Sequence, residues 1–223
     1  MRFGVLLFAC AAAFAQAPLK VMLVTGGHEH APSFYSVFTE QKDMVTSVNP
    51  HPIAYKNSLA KYDVVVLYDM VDDLPEAQKS HLKAFAESGK GLVVLHHALV
   101  SFQGWPWYHD TIGGQYLKTS TYSHDEELDI EAPADHPITR GLGKFHLNDE
   151  TYKGMWISDK STVLLRTNNS TSDGPVAWVS PYTKSRVVVI QLGHGPSAHN
   201  NPQWRMVVHN AILWAGGRLK AGE

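Results

Sequence analysis

The sequence GLVVLHHA, residues Gly91–Ala98, decides the fold of this chain. Its first five residues form a short apolar run, which is typical of a strand buried on both faces of a parallel sheet. Two adjacent histidines follow at the carboxyl end of that run. Ligands of open α/β sheets bind outside the carboxyl ends of the strands, so His96 and His97 are the first candidate functional residues.

Strands and helices alternate around this segment. Apolar runs predict strands before it at 20–25, 45–48 and 62–69, and after it at 162–166, 176–179 and 186–192. Alternating polarity predicts an exposed strand at 126–131, and within 145–152 an edge strand or a loop begins at Asp149-Glu150. Helices are predicted from Pro32 to about Lys42, over Glu76–Ser88 and over Pro202–Trp214. This alternation is typical of βαβ units with right-handed crossovers. A length of 223 residues with 44% hydrophobic content suits one α/β domain.

The first 17 residues have the composition of a secretory signal peptide. A positive start, Met1–Phe3, precedes an apolar run, Gly4–Phe14, and small residues then favour cleavage after Ala17. The run is too short to span a bilayer, so we predict no membrane span and a periplasmic or secreted domain over residues 18–223. Cys10 is the only cysteine and lies in this signal, so the mature domain is expected to lack a catalytic thiol.

Composition narrows the classes of partner. Lys and Arg number 19 against 21 Asp and Glu, and the absence of any basic run argues against nucleic acid. The Gly26-Gly27 turn lacks both the GxGxxG and the GK[ST] pattern, so no nucleotide cofactor is predicted. The 13 His and 6 Trp favour metal or sugar chemistry, with a small-molecule carbohydrate as the partner. The oligomeric state stays open, a homo-oligomer included.

Three of the predicted buried strands end in histidine. The histidines that follow the strands at 21–25, 92–95 and 187–192 are His28 and His30, His96 and His97, and His194. The carboxyl ends of neighbouring parallel strands meet at one edge of a sheet, so we expect these imidazoles to lie close together. Neutral imidazole is the commonest metal ligand, so a divalent metal site, zinc or manganese, is predicted. Taken singly, each histidine is also compatible with an ordinary hydrogen-bonded turn.

Glu150 is the favoured carboxylate for this cluster, as a metal ligand or a general base, with Asp149 or Asp69 in reserve. Adjacent strand residues face opposite ways, so one of Asp149 and Glu150 is expected to point inward. The same argument applies to the paired histidines, of which His97 is favoured as the functional one.

Aromatic residues supply candidate sugar contacts. Trp105, Trp107 and Tyr108 follow the anchor segment and either stack on a sugar ring or roof the core. His124 and Tyr152 are further candidates for substrate binding.

Several short motifs occur along the chain in order: GLVVLHHA (91–98), Trp107 with Gly113-Gly114, HPIT (136–139) with Gly141-Leu142, DETY (149–152), PVAW (175–178), GHG (193–195) and WAGG (214–217). Together they resemble the trehalose-utilisation (ThuA-like) family over nearly all of the mature chain. The resemblance implies a class I glutamine amidotransferase-like fold, that is, an α/β flavodoxin-like three-layer sandwich with a mainly parallel central sheet and a small antiparallel extension. It also implies a role in the metabolism of disaccharides such as trehalose and of their keto derivatives.

The chain departs from the amidotransferases at the turn after residue 95. Those enzymes carry a nucleophilic cysteine there, whereas this sequence has His96-His97-Ala98, which excludes glutaminase chemistry. A serine in a G-x-S-x-G elbow is also missing. Three hypotheses follow. The first is a metal-assisted lyase, hydrolase or isomerase acting on a disaccharide, glycoside or keto-sugar. The second is a non-catalytic sugar-binding or scaffolding module, and the third is a metal-free hydrolase with a His–Glu pair.

Overall fold

The computed structural model describes residues 16–39 and 41–219. The predicted signal peptide, apart from its last two residues, lies outside the described residues, and so does Cys10. The strands are β1 Leu19–Thr25, β2 Met44–Pro50, β3 Val64–Leu67, β4 Gly91–Leu95, β5 Gly114–Gln115, β6 Thr121–Glu131, β7 Phe145–Lys153, β8 Trp156–Ile157, β9 Thr162–Thr167, β10 Pro175–Val179 and β11 Val187–Ile190. The helices are α1 Glu76–Glu87, α2 Pro106–Ile112, α3 Pro196–Asn200 and α4 Pro202–Ala215, with 3-10 helices at Pro32–Phe38 and His96–Val100.

Nine strands form one mixed sheet in the order β2-β1-β3-β4-β11-β10-β9-β6-β7. The five strands from β2 to β11 are parallel, and the remaining four continue the sheet in antiparallel fashion. A separate antiparallel pair joins β5 to β8. The predicted α/β architecture, with a mainly parallel sheet and a small antiparallel part, is confirmed. The flavodoxin-like arrangement stays a prediction.

Apolar cores lie on both faces of the sheet because alternate strand residues point to opposite sides. In β1, Val21 and Leu23 join the core covered by α4 and the first 3-10 helix, whereas Met22 and Val24 join the core covered by α1 and α2. All residues of β3, β4 and β11 are buried. These strands therefore read as continuous apolar runs, which is why the sequence identifies them.

Two helical segments differ from the predictions. The helix expected from Pro32 to about Lys42 is a 3-10 helix that ends at Phe38. It has no side-chain N-cap and is rich in aromatic residues, which are weaker helix formers than Ala or Leu. Helix α2 begins at Pro106, within an aromatic stretch whose lack of periodicity predicts no helix. Among the described residues, no helix combines the length and the apolar character needed to cross a bilayer.

Candidate functional site

A cavity of about 300 Å³ lies at the carboxyl edge of the parallel strands. In the sheet, β2 lies on one side of β1, whereas β3 and β4 lie on the other, so the strand order reverses next to β1. Open α/β sheets bind ligands at such a switch point. We call it the histidine cavity, and its walls are His28, Met70, His97, Val100, Tyr116, Tyr122, His124, Glu150, Tyr152 and His194.

Three strand ends bring imidazoles together in this cavity. The His28 and His97 rings lie 4.2 Å apart between centroids, and His194 lies 5.5 Å from His97 and 5.1 Å from His96. Both ring nitrogens of His97 are buried and have no hydrogen-bond partner within the described part of the chain. Burial, reinforced by the neighbouring histidines, holds the pKa of His97 far below its usual range. Because His97 lines the cavity, its unpaired nitrogens are available to a ligand there.

His96 occupies the turn directly after β4 with a positive φ of 36°, a strained conformation for a residue with a β-carbon. Its Nδ1 lies 2.6 Å from the carbonyl oxygen of Gln191, which only accepts, so Nδ1 carries the hydrogen. The other ring nitrogen, Nε2, lies 3.1 Å from the Tyr152 hydroxyl and 3.2 Å from Glu150 Oε1. The backbone carbonyl thus fixes the ring so that Nε2 faces Glu150.

Glu150 carries the carboxylate of the site. Its Oε2 lies 2.5 Å from His124 Nδ1 and 3.9 Å from His194 Nε2. Burial alone would raise the pKa of Glu150, but His96, His194 and His124 together hold that pKa below its ordinary value. Glu150 is therefore ionised at neutral pH.

A β-bulge explains how His124 reaches Glu150. Ser123 pairs with Thr151 and Glu126 pairs with Asp149. The two residues between them in β6, His124 and Asp125, therefore lie opposite the single residue Glu150. Asp125, inside the bulge, has a positive φ of 55°. Bulges redirect side chains and are frequent beside active sites.

Asp149 points away from the cavity and holds the turn that carries His194. Its two carboxylate oxygens accept the backbone N–H groups of Gly193 at 2.6 Å and His194 at 3.0 Å. Burial raises the pKa of Asp149 above its ordinary value, although His96 and these N–H groups oppose the shift. Of the two adjacent carboxylates, Glu150 faces the cavity and Asp149 positions a histidine.

Buried hydrogen bonds hold the same turn from behind. The Tyr68 hydroxyl donates to the Gly193 carbonyl at 2.7 Å, and His199 Nε2 lies 3.1 Å from that oxygen. His199 Nδ1 accepts from Ser33 Oγ at 3.0 Å, which leaves the hydrogen on Nε2. Burial lowers the pKa of His199 to about 4.

The other candidates lie elsewhere. His30 Nε2 contacts the Tyr35 hydroxyl at 2.9 Å and is not part of the cavity wall. Asp69 is fully buried and accepts from Tyr55, and burial raises its pKa to about 6. Trp105, Trp107 and Tyr108 pack against the core beneath α2 and do not line the histidine cavity.

Other aromatic residues line the cavity. Tyr116 and Tyr122 were not among the sequence candidates, whereas Tyr152 was. Tyr122 is 59% exposed, and its ring lies 5.0 Å from that of His124. The two residues are separated by two positions in β6, so the period-2 rule for strands was a signal that could have linked them.

Among the described residues, two overlapping sets of side chains could hold a metal ion. His96, His97 and His194 form one, and His124, Glu150 and His194 form the other, each with potential ligand atoms within 4.8 Å of one another. Three protein ligands with an open position are typical of catalytic zinc sites. The hydrogen bond from His96 to a backbone carbonyl is the kind of outer contact that orients metal-binding histidines.

The structure therefore defines an α/β protein with a histidine- and carboxylate-lined cavity at its sheet edge. The chain belongs to the ThuA (trehalose utilisation) family, whose model matches residues 20–215.

Solved structures share this fold. A ThuA-like protein from Parabacteroides merdae is 19% identical with a TM-score of 0.76, over 92% of this chain and 93% of that one. A ThuA-like protein from Bacteroides uniformis is also 19% identical, with a TM-score of 0.68 over 96% and 98% of the two chains. A β-galactosidase from Bacillus circulans is 10% identical with a TM-score of 0.65, over 88% of this chain and 31% of the enzyme. No curated protein matches the chain.

We expect Asp149→Asn to destabilise the protein by about 1–3 kcal/mol, because an amide has one oxygen and leaves one of the two buried N–H groups without an acceptor. Urea unfolding measures the change. The matched control is Asp129→Asn, an exposed carboxyl on β6, for which the expected change is within about 0.5 kcal/mol. Equal losses in both variants would contradict the positioning role of Asp149.

We expect His199 to make stability dependent on pH between about 6.5 and 4. Its pKa is lowered in the folded state, so its contribution is complete above pH 6.5 and is lost as pH falls through about 4. The loss amounts to about 3 kcal/mol of unfolding free energy. When unfolding free energy is measured against pH, the variant His199→Gln should lack this decrease.

The exposed His146 is the control for this measurement. Its neighbours Asp129 and Glu127 raise its pKa, so His146→Gln should alter the slope in the opposite direction. An acid slope that is unchanged in His199→Gln would refute the assignment.

Proposed function

We propose that this protein is an exported carbohydrate enzyme that binds a divalent metal ion, zinc or manganese, through His96, His97 and His194 and acts on a glycoside or keto-sugar with Glu150 as general base. The observation that carries the proposal is His97, a buried imidazole whose two nitrogens lack partners in the described structure and which lies beside two further imidazoles. An unpaired buried polar group is costly, and a metal ion or a substrate would relieve that cost.

The ligand set fits a first-row metal. Neutral imidazole is the form that binds metals, and burial lowers the pKa of both His97 and His194, which keeps them neutral. The ring of His96 is already fixed by the Gln191 carbonyl. When bound, the ion would polarise a carbonyl group or a water molecule at its open position.

Glu150 is suited to proton transfer. It is ionised at neutral pH and so is always available, but a carboxylate with a lowered pKa is a weak base. A bound metal ion would therefore have to make the substrate more acidic, as in proton abstraction from the carbon beside the carbonyl of a keto-sugar. His124 lies against Glu150 and is 54% exposed, so it offers a route for the proton to solvent. Tyr116 and Tyr122 offer ring faces for a sugar.

We expect about one equivalent of metal per chain in protein purified without a metal-affinity tag, measured by elemental mass spectrometry. The variant His97→Ala/His194→Ala should lose the metal. The matched control His136→Ala/His209→Ala removes two half-buried histidines that do not line the histidine cavity and should keep it. Turnover of 3-keto-glycosides should stop on chelation and return when the ion is restored.

Two results would redirect this proposal. A metal-free protein that does not take up zinc or manganese, but whose activity is abolished in Glu150→Gln, would favour the hydrolase with a His–Glu pair. A protein that binds sugar equally well with and without chelator and turns nothing over would favour the binding module. That alternative draws support from the β-galactosidase similarity, in which this fold matches 31% of a longer enzyme.

The proposed export rests on the signal-like sequence of residues 1–17. Cleavage after Ala17 would leave β1 intact, since that strand begins at Leu19, and would remove the contact between Arg218 and the Ala17 carbonyl. Amino-terminal sequencing of protein from the periplasm or medium should begin at Pro18. Uncleaved protein confined to the cytoplasm would contradict export.

A further inference from the structure

A second cavity, of about 410 Å³, adjoins the histidine cavity. We call it the distal cavity, and its walls are Val100, Gln103, Gln115, Tyr116, Leu117 and Lys118. Val100 and Tyr116 belong to the walls of both cavities. A ligand that extends past these two side chains would therefore occupy both spaces.

Tyr116 is held in place at the boundary. Its hydroxyl donates to the Ser120 carbonyl at 3.1 Å, and its ring meets that of Tyr152 edge-on at 5.2 Å. Ser120 Oγ in turn accepts the Leu117 N–H at 2.8 Å and donates to the Gly154 carbonyl at 2.8 Å. The boundary between the cavities is therefore a fixed aromatic ring rather than a freely rotating side chain.

The walls of the distal cavity match the surface of a sugar. Val100, Leu117 and the Tyr116 ring are apolar and suit the C–H face of a pyranose. Gln103 Nε2 donates to the Val100 carbonyl at 2.9 Å, which leaves its amide oxygen as an acceptor for a hydroxyl group. Gln115 adds a second amide, and Lys118 is the one cation in this wall. Apolar surface with a few uncharged hydrogen-bonding groups is typical of small-molecule sites.

The size of the histidine cavity also indicates that a two-ring ligand needs a second space. A volume of 300 Å³ is at the lower limit of about 300–1,000 Å³ for small-ligand pockets, so it suits one ring rather than two. The reacting ring would lie against Glu150 and the histidines, and the remainder of a larger substrate needs another place. The distal cavity shares Val100 and Tyr116 with the histidine cavity and is of comparable volume.

We propose that the distal cavity is a subsite for the second ring of a two-ring glycoside whose reacting ring occupies the histidine cavity. This inference rests on the proposed carbohydrate function. It makes Gln103 and Lys118 specificity-determining residues that contact the non-reacting ring. They lie on the surface and outside the histidine cavity, so they can be replaced without disturbing the reacting groups.

The experiment is calorimetric titration of the metal-loaded protein with matched pairs of ligands. The pairs are trehalose with methyl α-D-glucopyranoside, cellobiose with methyl β-D-glucopyranoside, and lactose with methyl β-D-galactopyranoside. In each pair the second ring is replaced by a methyl group. At least one disaccharide should bind about tenfold more tightly than its methyl glycoside, which corresponds to about 1.4 kcal/mol.

The variant Gln103→Ala/Lys118→Ala should reduce that advantage to less than about threefold and leave the affinity for the methyl glycoside unchanged. The matched control Gln203→Ala/Lys160→Ala removes the same side-chain types outside both cavities and should bind like the wild type. Glu150→Gln should weaken both members of a pair equally.

The outcomes separate this inference from the function on which it rests. Binding of methyl glycosides with no gain for any disaccharide, or an advantage that survives in Gln103→Ala/Lys118→Ala, would refute the subsite and leave the carbohydrate function standing. Failure of the protein to bind any of the six sugars would refute the subsite, and it would refute the carbohydrate function as well if 3-keto-glycosides are also neither bound nor turned over.

Discussion

The contact between the middle of β7 and the turn after β11 is the constraint on which the site depends. In the sheet order β7 is an edge strand, separated from β11 by three strands. Asp149 nevertheless accepts the N–H groups of Gly193 and His194, and Gln191 Nε2 donates to the Glu150 carbonyl at 2.9 Å. The antiparallel half of the sheet therefore closes over the carboxyl edge of the parallel half. Without this closure the histidines and Glu150 would belong to separate surfaces.

The same closure sets the electrostatics of two adjacent carboxylates. Asp149 and Glu150 are both buried, and burial disfavours the charge of each. Glu150 is surrounded by imidazoles, which outweigh burial and lower its pKa, whereas burial prevails at Asp149 and raises its pKa. One carboxylate is thus kept ionised in the cavity, and the other fixes a loop. Their division of roles follows from the alternation of side chains in β7.

The parallel half of the site could be predicted from the sequence, and the antiparallel half only in part. Buried parallel strands give continuous apolar runs whose carboxyl ends share one edge, so the meeting of His28, His97 and His194 follows from local pattern plus topology. His124 reaches Glu150 through a bulge, and no local pattern marks an extra residue in a polar strand. Trp105 and Trp107 are of a residue type that stacks on sugar rings, but at the start of α2 they pack against the core.

The turn at His96, directly after β4, is strained because its φ is positive. A positive φ directly after a buried strand aims a side chain into the cavity at an energetic cost. His96 has one nitrogen engaged by the Gln191 carbonyl, and its ring is stacked on Tyr152. Its remaining nitrogen, Nε2, faces the Tyr152 hydroxyl and Glu150 Oε1. Such a side chain is suited to hold a ligand, because the direction of Nε2 is fixed by the hydrogen bond that Nδ1 makes.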